Sequence, residues 1–70
     1  MKKKAMEIVA AEAYEVLLAA NAGDGFYDLK EANARLNAVS YMAETLGLLT
    51  REEIMEIKKE AKLSYGAHKS

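Results

Sequence analysis

Residues 29–54 read LKEANARLNAVSYMAETLGLLTREEI, and the spacing within this stretch decides the fold. Leu29, Ala32, Leu36, Val39, Ala43 and Leu46 recur alternately three and four residues apart. That is an a/d seam of about two and a half heptads, and it predicts a helix over 29–46. Asp28 stands where a helix cap is needed, and Glu31, three residues on, completes a capping box. Glu31 also precedes Arg35 by four residues, a favourable pair on a helix surface. Gly47 is placed to end the helix in the left-handed conformation. Thr50 and Glu53 then form a second capping box, ahead of an inner face of Ile54, Ile57, Ala61 and Tyr65. Glu52 and Glu53 sit at the positive end of this second dipole, and Lys58, Lys59 and Lys62 towards its negative end.

Upstream, Met6, Val9, Ala13, Leu17 and Ala20 mark one face of a further helix, with Lys4, Glu7, Glu12 and Glu15 opposite. The stripe is broad. Ile8 projects into the polar sector, and Tyr14 and Leu18 widen the apolar one. There is no proline, and Gly23, Gly25, Gly47 and Gly66 punctuate the chain. The expectation is an all-α, compact three-helix unit with helices near 4–21, 29–46 and 51–64, residues 1–70 forming a single small helical domain. Leu48 and Leu49 would plug the end between the second and third helices. Alanines 13, 20, 32, 43 and 61 would let the backbones approach closely.

Composition narrows the function. Of 36 hydrophobic residues 13 are Ala and only 14 are Val, Ile or Leu, so the core must be thin. A chain of 70 residues buries only about 60% of its unfolded surface, and without cysteine it has no disulfide or thiolate-metal staple. Ten basic and eleven acidic residues leave a net charge of −1, too little field to hold nucleic acid. Lys2, Lys3 and Lys4 ahead of an Ala-rich stretch loosely imitate a secretory signal, but Glu7, Glu12 and Glu15 interrupt it. The expectation is a cytoplasmic chain with no membrane association. The lone histidine, His68, lies in the tail, so Cys–His and Ser–His nucleophile pairs are out of reach. The remaining carboxylates occupy polar faces and caps; neither an enzyme nor a cofactor is expected.

Two segments invite comparison with known motifs. In the 20–31 loop, Asp24, Gly25, Tyr27, Asp28 and Glu31 follow the order of the latter half of a calcium loop. The loop thereby resembles a degenerate EF-hand or dockerin loop, and the resemblance implies a calcium-responsive regulatory module liganded by Asp24, Asp28 and Glu31. Ala20 and Ala22 stand where the first and third ligands belong and supply no side-chain oxygen, whereas calcium takes six to eight oxygens. The loop is accordingly expected to hold no tightly bound metal, Asp24-Gly25 making a turn and Asp28 with Glu31 a cap.

The run Leu46-Gly47-Leu48-Leu49-Thr50-Arg51-Glu52-Glu53-Ile54, followed by Ile57-Lys58-Lys59, is similar to the SHOCT-type short helical hairpin over residues 42–63. That resemblance implies oligomerisation or protein contact. The same turn also suits a helix-turn-helix DNA-binding protein, a lesser alternative, because Glu52 and Glu53 would face the phosphates.

Asn33, Asn37, Ser40 and Glu44 form a polar stripe beside the apolar seam of the second helix, with Tyr41 just outside it. Asparagine is a mediocre helix former, so two of them four residues apart suit either a solvated face or directional contacts to a partner. The functional expectation is a small non-enzymatic protein–protein interaction module that self-associates, most simply as a homodimer, and acts by occupying a partner's surface. Its contact residues would be Ile8, Tyr14, Leu18, Asn33, Asn37, Tyr41 and Glu44. Small proteins of this kind are common among phage and mobile-element accessory and inhibitor products.

Overall fold

Three helices follow one another in a computed structural model that describes residues 1–22 and 28–69: α1 (Lys2–Ala22), α2 (Leu29–Thr45) and α3 (Arg51–Lys69). No strand occurs among the described residues. The expected all-α three-helix unit is what the chain forms, with extents of 37 × 24 × 16 Å.

Local chemistry explains the boundaries. Asp28 is extended (φ −87°, ψ 105°), and its Oδ1 accepts from the Glu31 amide at 3.2 Å. The Glu31 carboxylate does not return the bond to Asp28; it accepts from Arg35 at 2.8 Å. At the far end of α2, Gly47 adopts φ +72°, which a Cβ would strain. Its amide donates to the Glu44 carbonyl at 3.1 Å, and the Leu48 amide to the Ala43 carbonyl at 2.9 Å. These two bonds make a Schellman motif and satisfy carbonyls that a helix end otherwise leaves bare. The second capping box closes in both directions: the Thr50 amide donates to Glu53 Oε1 (2.9 Å), and the Glu53 amide to Thr50 Oγ1 (3.1 Å).

Two boundaries differ from expectation. α3 runs to Lys69 rather than stopping near 64, because Gly66 lies inside the helix instead of ending it. A helical glycine costs about 1 kcal/mol relative to alanine, which a helix already nucleated and packed can absorb. α1 begins at Lys2, so three lysines occupy the positive end of its dipole. Lys2 offsets this by pairing with Glu53 on α3.

α1 is the central element. It packs along both α2 and α3, whereas α2 and α3 come together only slightly. Lys2 pairs with Glu53 and Tyr14 meets Tyr65, both steps of fifty-one residues, so α1 and α3 run parallel in constant register. α2 runs antiparallel to them.

The core is Ala5, Val9 and Ala13 of α1, Leu36 and Ala43 of α2, Leu49 of the turn, and Ile54, Ile57 and Ala61 of α3. Leu49 is buried as expected and Leu48 packs against the core half-buried. The inner face of α1 needs correction: Met6 and Ala20 are exposed, while Ala5 and Ala19 are buried. A helix clasped from two sides buries a broad sector, and a single stripe averages across it. Leu29 and Leu46, the expected ends of the α2 seam, are exposed.

Candidate interaction surfaces

Among the described residues, depressions along the three helix seams sort the expected contact residues into separate groups. The first lies where the start of α1 meets the end of α2, a groove of about 280 Å³ lined by Ile8, Val9, Val39, Met42, Leu46 and Leu48 among others. Ile8 is 44% exposed, Met42 59% and Leu46 65%. Among the described residues of the rim, Lys4 carries the one charged side chain.

The second depression is a cleft of about 290 Å³ between the end of α2 and the start of α3. Here Tyr41 and Glu44 come together with Ser40, Arg51, Ile54, Met55 and Lys58. Glu44 accepts from Arg51 Nε at 3.2 Å, so its carboxylate serves the turn. Ser40 Oγ is buried without a hydrogen-bond partner among the described residues, an arrangement that costs about 1–3 kcal/mol. Asn33 and Asn37 lie further back along α2, exposed and outside this cleft.

The third, the largest of these three, is a groove of about 640 Å³ along the α1–α3 seam. Its floor is apolar: Met6, Ala10 and Tyr14 from α1, Ile57 and Ala61 from α3. Tyr14 closes one end, its ring packed edge-on against Tyr65 with centroids 5.6 Å apart.

The expectation that Ile8, Tyr14 and Leu18 stand together beyond the reach of α2 and α3 therefore needs correction. Ile8 faces the α1–α2 groove, Tyr14 lies under Tyr65, and Leu18 is half-buried outside all three depressions. Six steps at about 100° turn Tyr14 about 120° away from Ile8, while Leu18, four steps further, lies within about 40° of Tyr14, so Ile8 stands apart from the other two. Met42 and Leu46 do join Ile8; the sequence reading placed Leu46 in the α2 seam and gave Met42 no role. An exposed residue four positions from another on α2 was the available signal.

Electrostatics add two features. Arg35 draws together Glu31 at 2.8 Å, Glu12 at 3.2 Å and Glu15 at 3.3 Å, tying α1 to α2. Partial desolvation works against its charge, but the carboxylates of Glu31, Glu12 and Glu15 prevail and hold the guanidinium above its ordinary value. Glu53 is shifted the other way. The Lys2 ammonium and then the Thr50 amide hold its carboxyl below the usual 4.5. A depressed folded value means stabilisation that is present above the unfolded value and lost as pH falls through the folded one. Urea midpoints measured against pH should thus fall on acidification from about 4.5 downward, and Glu53→Gln should flatten that limb. An unchanged limb in the variant would show that other carboxylates govern acid unfolding.

Asp24 of the 20–31 loop lies outside the described residues. Asp28 and Glu31 are engaged in capping and in the Arg35 cluster. Among the described residues, no group of three or more His, Cys, Asp or Glu is placed to hold a metal ion. No described helix is long and apolar enough to cross a membrane. Set against known proteins, the chain matches no family model, and no curated protein or solved structure is significantly similar to it.

Proposed function

We propose that this chain is a small protein–protein interaction module without catalytic activity of its own, working in the cytoplasm as a two-fold dimer that occupies a partner's surface. One observation carries the dimer: Ile8, Met42 and Leu46 stand exposed around a single apolar groove. Soluble monomers rarely leave contiguous apolar patches in water, and a two-fold axis through this one would bury every member twice. Full burial of an Ile or Leu is worth about 1.5–3 kcal/mol. The core offers a motive, because among the described residues six of the eleven buried hydrophobic ones are alanines. A chain so small and so thinly filled gains more from association than a large one.

Sedimentation tests the reading. Wild type at tens of micromolar should run at twice the chain mass, and Ile8→Glu and Leu46→Glu should run as helical monomers. Both substituted sites are exposed in the isolated chain, so circular dichroism should be preserved. A wild type that stays monomeric at that concentration refutes self-association.

A further inference from the structure

The α1–α3 groove has a property that the other two depressions lack: its walls are acidic. Glu7 stands on the α1 side, and Glu53, Glu56 and Glu60 on the α3 side. Glu53 is satisfied by Lys2 and the Thr50 cap. Glu7, Glu56 and Glu60 form no ion pair among the described residues, and Lys3 is the one cation on the rim. Spacing on α3 produces this segregation. Residues 53, 56 and 60 fall on one flank of the Ile54–Ile57–Ala61 stripe, and Arg51, Lys58 and Lys62 on the other. A chain of net charge −1 thus gathers four carboxylates around one apolar trough.

The trough also has the dimensions of a helix seat. Lys3 to Tyr14 is eleven residue steps, about 16 Å or three turns at the helical rise. Ala10 and Ala61 leave the floor low at the centre, where the ridge of a third helix can enter. No strand edge exists among the described residues to receive an extended peptide by backbone pairing.

We propose that this groove binds an amphipathic helix of a partner protein, its apolar stripe on Met6, Ala10, Ile57 and Ala61 and its flanking lysines or arginines against Glu7, Glu56 and Glu60. Helix-in-groove recognition takes affinity from the apolar anchors, while charge complementarity sets specificity and speeds association. The proposal rests on the reading of the chain as an interaction module. It uses a different groove from the dimer contact, so the two fail separately.

The probe is a fluorescein-labelled synthetic peptide of about 18 residues, long enough to hold a helix, with leucines at helical spacing and lysine flanks. A second peptide keeps the leucines and carries glutamate flanks. Fluorescence anisotropy should show the lysine peptide binding at least about tenfold more tightly, with the preference shrinking as salt is raised. Glu56→Lys/Glu60→Lys should invert the preference, and the gentler Glu56→Gln/Glu60→Gln should erase it. Ile8→Glu should bind as wild type does whatever its mass. Equal affinity for the two peptides, no binding of the lysine peptide, or an unchanged preference in the Gln variant overturns the proposal. So does loss of the dimer in the Gln variant, which would assign the groove to a second copy of this chain.

Discussion

Leu49→Ala should leave the chain largely unfolded at room temperature. Leu49 is 3% exposed and sits in the turn, where the end of α2, the start of α3 and the α1 core converge. Truncating a buried leucine to alanine costs about 2–5 kcal/mol, through lost transfer energy and the cavity left behind. A single core of this size supplies only about 3–5 kcal/mol in total, so the substitution consumes most or all of it. Far-UV circular dichroism and a urea titration read the outcome directly. Leu48→Ala, at a half-buried site two residues after the cap of α2, should keep a cooperative transition at a lower midpoint. A Leu49→Ala protein that melts within about 5 °C of wild type, roughly 1 kcal/mol for a domain this small, would show that the turn is not part of the core.

The second large effect runs against intuition, because it follows from adding apolar atoms. Ala13→Leu should destabilise the chain by about 1–3 kcal/mol, the cost of forcing extra methylenes into a packed site. Ala13 is buried in the helix that lies between the other two, so a larger side chain there pushes against the core that all three share. Ala34→Leu, on the exposed side of α2, is the control and should change stability by no more than about 0.5 kcal/mol. Thermal melts of the two variants side by side make the comparison. Equal stability of Ala13→Leu and wild type would mean that the helices are not held at alanine distance.

Most of the fold was legible because its boundaries are written in short-range chemistry. Thr50 with Glu53, Asp28 ahead of Glu31, and Gly47 at positive φ each act within a few residues, so their spacing alone places the helix ends. Gly66 misled for a related reason: a glycine stops a helix only where packing does not carry the helix past it. The inner face of α1 was harder to read. One stripe assumes one partner, and α1 has two, so Met6 and Ala20 were assigned inward and Ala5 and Ala19 were passed over.

The contact surfaces were the least legible. Ile8 stood out by periodicity, but its companions Met42 and Leu46 come from another helix, and no local pattern pairs residues across a seam. Tyr14 carries no sequence mark of being covered by Tyr65, fifty-one positions away. Of the acidic wall of α3, Glu53 was read only as a cap and dipole partner, and Glu56 and Glu60 drew no reading until α1 supplied the trough beside them. Arg35 is the same lesson in miniature. Its pairing with Glu31 follows from an i, i+4 count, while those with Glu12 and Glu15 need the antiparallel packing of α1 and α2.

The constant offset of fifty-one residues between α1 and α3 bears on how the molecule comes into being. A ribosome makes α1 well before α3, yet about half of the surface that holds α1 is on α3. Until α3 emerges, Val9 and its neighbours have only α2 to lean on, and α2 and α3 offer each other little support in return. Helical proteins usually owe their speed to contacts between near neighbours in the chain. In this one about half of the packing around α1 joins distant segments, so α1 stays bare along one flank until α3 is made.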